Sequence, residues 1–178
     1  QIFTFGGYLR DKFGCQVHKV GINISGFTCP NIDGTVAKGG CTFCENDSFS
    51  ASENKSVELK GFYLNLNSTK NPNLDKQLKQ LELQFGSISK RQKENYGAKK
   101  FIVYFQSFTN TYAPLETLKT LYEKALSFDG VVGISIGTRS DSISDETFEY
   151  LCELNQRTEL WIEFGIQSIF DTTLKRIN

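Results

Sequence analysis

Short apolar runs alternate with longer amphipathic segments along this chain. The apolar runs are too short for most helices and have the length and composition of buried strands. They span residues 17–24, 101–105, 131–138 and 160–166. We therefore predict four β-strands in this order.

The segment between the first two strands divides into an irregular part and a helical part. Residues from about 45 to 73 are rich in Ser, Asn and Lys, and we predict that they are irregular. A helix over residues 73–92 is predicted because apolar side chains then recur at helical spacing. These side chains are Leu74, Leu78, Leu81, Phe85 and Ile88.

Two further helices are predicted on either side of the third strand. Pro114 suits the first position of one helix, and Ser144 suits the N-cap of the other. Residues 171–178 have the pattern of a helix that is only beginning. The inward faces are expected to carry Leu115, Leu118, Tyr122 and Ala125 in the first helix, and Phe148, Leu151 and Cys152 in the second.

This order of elements predicts an α/β fold. Short strands joined by helices favour parallel pairing with right-handed crossovers. Four such units do not close a barrel, so a half-barrel or an open sheet is expected. The edge of the last strand is then exposed and could support self-association, unless further sequence or a partner covers it.

Polar clusters follow each predicted strand. They are the cysteine-containing loop after the first strand, residues 106–111, residues 138–141, and Gln167 with Ser168. Glu163 lies within the fourth strand. Because the carboxyl ends of parallel strands share one edge of the sheet, these groups are expected to converge.

The composition is that of a folded domain with no net charge. The chain has 178 residues, with 20 Lys+Arg and 20 Asp+Glu, so global charge does not favour nucleic acid or membrane. A local patch could still bind RNA. We expect no membrane segment and no signal peptide, and hence a cytoplasmic protein. The five cysteines are an odd set, which favours metal binding over disulfides in that compartment.

Three of the cysteines carry the strongest chemical signal. Cys41 and Cys44 form a Cys-x-x-Cys turn, and Cys29 precedes them by a loop containing Gly34, Gly39 and Gly40. Three thiolates are one ligand short of a closed site, which leaves a coordination position open. Phe43, between the paired cysteines, could shield a cluster from water.

The spacing alone leaves two kinds of centre open. One is a structural zinc site in which Cys15 and His18, a Cys-x-x-His pair, could add ligands. The other is a 4Fe–4S cluster with one iron not bound by cysteine. His18 begins a strand and is expected to be a hydrogen-bonded structural residue, and Cys152 is expected to lie in the core.

The quoted residues resemble a known family. The loop Gly26-Phe-Thr-Cys29-Pro-Asn-Ile-Asp-Gly-Thr35 with Gly39-Gly-Cys41-Thr-Phe-Cys44 is similar to the cluster motif of radical S-adenosylmethionine (SAM) enzymes. The resemblance is to the YhcC/YtqA-like family, which is related to the Elongator catalytic-subunit radical SAM domain. Three later segments match in order: residues 104–114, residues 132–139 and Glu163-Phe-Gly-Ile-Gln-Ser168. Ser140 departs from the proline expected in a Thr-Arg-Pro-Asp stretch.

The resemblance implies a partial (βα) barrel of the radical SAM type, with about the first four βα units present. Residues 1–178 would be the N-terminal portion of that core domain, incomplete at its C-terminus. Residues 1–16 would be a lead-in segment, and residues 25–73 would hold the cluster loop and the irregular segment. The absence of methionine also suggests missing sequence.

The resemblance also implies an iron–sulfur enzyme that cleaves SAM reductively to a 5′-deoxyadenosyl radical. The metal ligands would be Cys29, Cys41 and Cys44. Gln106 would contact the methionine moiety or be a generic polar loop residue, Arg139 would contact the methionine carboxylate, and Glu163 the ribose. Asp141 would also bind the cofactor, and Gln167 and Ser168 are weaker candidates. The alternative for Arg139 is an ion pair with Asp141.

The expected partners are a reductant protein such as flavodoxin or ferredoxin and a tRNA substrate modified at the wobble uridine. The alternative function is a zinc-stabilised, non-enzymatic α/β binding module. A cluster protein that has lost catalysis is a third alternative.

Overall fold

The computed structural model describes residues 2–42, 44 and 63–177. Phe43 and most of the segment predicted to be irregular, residues 45–62, lie outside the described residues. The elements are α1 (Phe5–Phe13), β1 (Val17–Ile22), α2 (Pro30–Asp33), α3 (Leu74–Tyr96), β2 (Lys100–Phe105), α4 (Leu115–Leu126), β3 (Val131–Thr138), α5 (Asp145–Asn155), β4 (Glu159–Phe164) and α6 (Asp171–Ile177).

The four strands form one parallel sheet in the order β1-β2-β3-β4. The predicted strands and the α/β class are therefore confirmed. Strand β1 ends at Ile22, earlier than the predicted residue 24. Beyond Ile22 the backbone binds a side chain of α3 instead of a neighbouring strand. The Gln84 side chain donates to the carbonyl of Asn23 (2.7 Å) and accepts from its N–H (3.0 Å), so the chain leaves the sheet after Ile22.

One face of the sheet is apolar and carries α3, α4 and α5. The strand residues of this core include Val20, Val103 and Ile134, each fully buried. The helices contribute Leu81, Phe85, Leu118, Leu121, Tyr122, Ala125, Leu151 and Leu154. Burial of this surface is the main favourable term in folding, at about 25 cal/mol per Å² of apolar area.

The opposite face is polar and carries α1, which was not predicted within the lead-in segment. The Thr4 side chain caps the start of α1, and Gly14 ends it with a φ of 71°. The Phe5 ring packs edge-on against Trp161, with 4.5 Å between centroids. Lys12 pairs with the nearly buried Glu159 on β4, with 2.6 Å between nitrogen and oxygen. α1 therefore covers the amino-terminal part of this face.

The predicted helices are present, with changes at their ends. Helix α3 continues past residue 92 to Tyr96, where Gly97 ends it in a left-handed conformation. Pro114 precedes α4 as its cap instead of occupying its first position. Ser144 caps α5 as predicted and accepts from the N–H of Thr147 at 3.2 Å.

The predicted inward face of α5 is wrong at two positions. Phe148 is 60% exposed, and Cys152 is also exposed, so Cys152 is not a core residue. Leu151 is buried as predicted. The inward face consists of Thr147, Tyr150, Leu151 and Leu154. Thr147 can face inward because Ser144, at the helix cap, engages both its N–H and its hydroxyl.

In the part of the chain that the structure describes, no helix combines the length and apolar character that crossing a bilayer requires.

Candidate metal and cofactor site

A cavity of about 710 Å³ lies at the carboxyl ends of the strands. The loops after all four strands contribute to its wall, together with α6. The predicted site residues in this wall are Cys29, Cys41, Cys44, Gln106, Arg139, Asp141 and Gln167. The expected convergence of the polar clusters on one mouth is therefore observed.

The cysteine loop folds back on itself through α2. Helix α2 begins directly after Cys29, with Pro30 at its first turn, and ends at Gly34 with a φ of 93°. The N–H of Gly40 then donates to the carbonyl of Asn31 at 2.8 Å, which brings the chain back beside α2. Gly40 itself has a φ of 80°, a conformation that favours glycine.

This return brings Cys41 to the side chain of Asn31. The Asn31 amide nitrogen lies 3.2 Å from the sulfur of Cys41. The N–H of Cys44 donates to the carbonyl of Cys41 at 2.9 Å, which holds the backbones of these two cysteines together. All five cysteines, Cys15, Cys29, Cys41, Cys44 and Cys152, are free thiols.

Arg139 connects the loop after β3 to the cysteine loop. Two of its nitrogens bind the carboxylate of Asp141, at 2.8 Å and 2.6 Å. The third, Nη1, lies 2.9 Å from Asn31 Oδ1 and 3.5 Å from the sulfur of Cys29. Hydrogen bonds from Arg139 hold the pKa of Asp141 below its ordinary value. The ion pair considered as the alternative for Arg139 is therefore present. Asp141 occupies the edge of the guanidinium whose two N–H groups could otherwise bind another carboxylate.

The two residues that could have extended a zinc site are not near this cavity. Cys15 and His18 lie at the amino-terminal end of β1, whereas Cys29 follows its carboxyl end. A six-residue strand is about 20 Å long, so these groups cannot share one ion. The ring of His18 instead stacks on Tyr96, with 5.8 Å between centroids.

The thiols fit an iron–sulfur cluster in donor chemistry and in placement on one wall. Among the described residues, no three His, Cys, Asp or Glu side chains are gathered closely enough to hold a single metal ion. A cluster is larger than an ion, and its ligands stand correspondingly further apart. Three thiols with a fourth position left for another ligand are the donor set that a three-cysteine 4Fe–4S cluster requires.

The loop after β2 supplies a second indication of a ligand site. Ser107 is 3% exposed, and its hydroxyl has no hydrogen-bond partner, although the residue lines the cavity. Its neighbour Phe108 has a φ of 64°, which is rare for a residue with a side chain. An unsatisfied buried hydroxyl beside a strained residue is common at functional sites. Ser107 was not singled out from sequence, although it lies within the polar cluster 106–111.

Glu163 does not belong to the cavity wall. Its carboxylate lies on the polar face of the sheet, where it accepts from Lys19 and from Ser135, both at 2.6 Å. Burial would raise the pKa of Glu163, but hydrogen bonds from Lys19, Ser135 and Tyr104 outweigh it, so the pKa is lowered. Burial and the neighbouring carboxylate raise the pKa of Tyr104 to about 12.

Tyr104 connects this network to the cavity, because Tyr104 itself lines the wall. Tyr104 and Lys19 were not predicted as site residues. Side chains two residues apart along a strand point to the same face of the sheet, so Tyr104 could have been predicted beside Gln106. Lys19 gave no comparable signal, because its partner Glu163 is 144 residues away in sequence.

Helix α6 lies against the cysteine loop. The N–H of Thr42, within the Cys-x-x-Cys turn, donates to the carbonyl of Ile177 at 3.0 Å. Leu174, Lys175 and Ile177 line the cavity. Helix α6, which the sequence predicted only as the beginning of a helix over residues 171–178, is thus part of the site.

The chain is similar to several bacterial and archaeal proteins. It is 43% identical over 175 residues to the uncharacterized protein YtqA of Bacillus subtilis. It is 36% identical over 177 residues to protein YhcC of Escherichia coli strain K12, and 34% over 175 residues to the uncharacterized protein MJ0486 of Methanocaldococcus jannaschii. These alignments cover 98% of this chain but 47–48% of each relative, so the chain spans about half the length of the curated relatives it matches. No family model matches the chain.

Proposed function

We propose that this chain is the cluster-binding part of a radical SAM enzyme. The observation that carries the proposal is that Cys29, Cys41 and Cys44 line one cavity together with the loop after β2. That loop contains Gln106 and the unsatisfied hydroxyl of Ser107. A zinc-stabilised module that uses Cys15 and His18 is less well supported, because both residues lie at the other end of β1.

The sheet supports a partial (βα) barrel as the finer description of the fold. Its strands follow one another in sequence order, and α3, α4 and α5 all pack on one face. Doubly wound sheets reverse their strand order and carry helices on both faces. A barrel keeps the sequence order and keeps its crossover helices outside. The polar face with Lys19, Tyr104 and Glu163 would then be the interior.

In this proposal Cys29, Cys41 and Cys44 would hold the cluster. When bound, the cluster would supply the electron that cleaves a carbon–sulfur bond of SAM to give methionine and a 5′-deoxyadenosyl radical. Gln106 and Ser107 would orient the polar end of the methionine moiety. Apolar wall residues, such as Ile32, would exclude water from the site.

Arg139 and Glu163 would act on the remaining polar groups of SAM. Arg139 can bind the methionine carboxylate only if its bidentate edge turns away from Asp141. Glu163 could accept from ribose hydroxyls, since Lys19 and Ser135 keep its carboxylate ionised and fixed. Gln167 is exposed beside the cavity, where it could contact the same ligand.

For the whole protein we propose a cytoplasmic enzyme that is reduced by a flavodoxin- or ferredoxin-like protein. The substrate class proposed is a nucleic-acid base, with the tRNA wobble uridine to be tested first. This step rests on analogy with related folds.

Anaerobic reconstitution with ferrous iron and sulfide tests the proposal. We expect a brown protein with about four irons per chain. Replacement of Cys29, Cys41 or Cys44 with Ala should abolish the chromophore, whereas Cys15→Ala and Cys152→Ala should retain it. Dithionite and SAM should then release 5′-deoxyadenosine from the full-length protein. A colourless protein that binds about one zinc and tolerates loss of Cys44 would contradict the proposal.

A further inference from the structure

We infer that Asn31 and Arg139 set the reduction potential of the cluster through hydrogen bonds to its cysteine ligands. This inference rests on the proposed function, and it concerns residues that the cysteine motif does not include. Both residues are positioning residues in this role, since they would act on the cluster through Cys29 and Cys41.

Asn31 is held with a defined amide orientation. The residue is 6% exposed, and its Oδ1 accepts from Arg139 Nη1 at 2.9 Å. A guanidinium can only donate, so the oxygen of the amide must face Arg139. The NH₂ group then faces Cys41, whose sulfur lies 3.2 Å away. Cys41 therefore receives a directed N–H donor from a buried side chain.

Arg139 provides the second contact. Its Nη1 lies 3.5 Å from the sulfur of Cys29, while Asp141 fixes the guanidinium from the other side at 2.8 Å and 2.6 Å. Asp141, Arg139 and Asn31 thus form one connected network that ends on two sulfurs. The side chain of Arg139 is only 26% exposed, which reduces the screening of its charge by water.

These contacts have a definite electrostatic consequence. Reduction adds one electron to a cluster, and the added negative charge spreads onto its sulfurs. Hydrogen-bond donors and positive charge near the sulfurs stabilise the reduced form, so they raise the potential. The carboxylate of Asp141 acts in the opposite direction, since it lies beside the same guanidinium. The network therefore predicts opposite signs for changes at Asn31 and at Asp141.

The test uses two substitutions that conserve side-chain shape and a third that removes the guanidinium. Asn31→Asp keeps an acceptor for Arg139 but places negative charge beside Cys41, so the potential should fall. Asp141→Asn leaves the charge of Arg139 uncompensated, so the potential should rise. Arg139→Gln should lower it. We expect each variant to change the ratio of reduced to oxidised cluster about tenfold at a fixed potential, which corresponds to about 59 mV for one electron.

The measurement is a redox titration of the anaerobically reconstituted full chain, followed by electron paramagnetic resonance. Dithionite supplies one electron per cluster, and no bond forms or breaks. Asn67→Ala and Arg10→Gln are matched controls, because both side chains are exposed and neither residue lines the cavity. Iron and sulfide content is measured for every sample, and only samples with equal content are compared.

The outcomes separate the two hypotheses. A lower reduction potential for Asn31→Asp together with a higher one for Asp141→Asn supports the inference. A general loosening of the site would instead shift both potentials in the same direction. Unchanged potentials, or shifts of the same sign, overturn it while the proposed function stands. If the unsubstituted protein forms no chromophore, the proposed function fails and this inference fails with it.

Discussion

The ammonium of Lys19, on the first strand of the sheet, lies 2.6 Å from a carboxylate oxygen of Glu163, on the fourth. Two strands lie between them, and the register places Glu159 level with Lys19, so that Glu163 lies four residues further along β4. In a flat sheet their backbones would therefore stand more than about 14 Å apart. Side chains of this length can meet over that distance only if the sheet curves toward the face that carries them. The polar face is therefore concave, as the interior of a partial barrel would be.

The ion pair between Lys19 and Glu163 should contribute little to stability and should depend on pH. Both side chains are more than a third exposed, so we expect Lys19→Met to cost about 0.2–1 kcal/mol at neutral pH. The pKa of Glu163 is below its ordinary value of 4.5, so this contribution is complete above that pH. It is lost as the pH falls through the lowered pKa, because protonation removes the charge.

Urea unfolding of Lys19→Met and of the unsubstituted chain across this pH range measures the effect. The two unfolding free energies should converge in acid. Lys76→Met, at an exposed position on α3, is the control and should change little at any pH. If the difference in unfolding free energy between Lys19→Met and the unsubstituted chain stays constant in acid, Glu163 is not the partner of Lys19 in solution.

Gly133 and Gly86 should respond oppositely to replacement by alanine. A Cβ at Gly133 would lie 2.1 Å from the carbonyl oxygen of Glu159 on the adjacent strand, so β3 and β4 would have to separate. We expect Gly133→Ala to destabilise the fold by about 3 kcal/mol. At Gly86, inside α3, a Cβ meets nothing within 4 Å.

Gly86→Ala should therefore stabilise the chain by about 0.5–1 kcal/mol, because alanine loses less backbone entropy in a helix. Thermal unfolding of both variants gives the comparison. Equal effects at the two positions would contradict the close approach of β3 and β4.

Phe148 distinguishes the observed inward face of α5 from the predicted one, and Leu151, which belongs to both faces, is the reference. Leu151 is 4% exposed, and Leu151→Ala should cost about 2–4 kcal/mol because it leaves a cavity in the core. Phe148 is 60% exposed, and Phe148→Ala should change the unfolding free energy by less than about 0.5 kcal/mol. Denaturant unfolding measures both. A larger loss of unfolding free energy for Phe148→Ala would support the inward face predicted from sequence.

Glu159 should hold α1 against the sheet. Its carboxylate accepts from Lys12 at 2.6 Å and from the indole N–H of Trp161 at 2.7 Å. Glu159→Ala removes both contacts, and we expect a loss of about 1–3 kcal/mol. Hydrogen exchange should rise first in α1, because Lys12 on this helix loses its partner on β4. Glu153→Ala, an exposed carboxylate on α5, is the control and should leave the exchange in α1 unchanged.

Much of the fold followed from local patterns. The four apolar runs became the four strands, and Ser144 became a helix cap, because strand burial and capping depend on residues close in sequence. The inward face of α5 was harder to predict. Residues three apart on a helix differ by only about 60° in direction, so Phe148 and Leu151 match one apolar stripe, and packing on the sheet then buries Leu151 and leaves Phe148 exposed.

Part of the site, too, could be predicted from local patterns, and part could not. Its residue types and the clustering of Cys29, Cys41 and Cys44 were readable from the sequence, since short spacing and the common edge of a parallel sheet bring such groups together. Contacts between distant residues were not readable. That Arg139 contacts Cys29, and that Glu163 turns toward Lys19, depends on strand register and on the curvature of the sheet. The sequence by itself determined which residue types line the mouth of the sheet, and the tertiary structure decided which residues distant in sequence meet there, because such contacts require distances that no local pattern encodes.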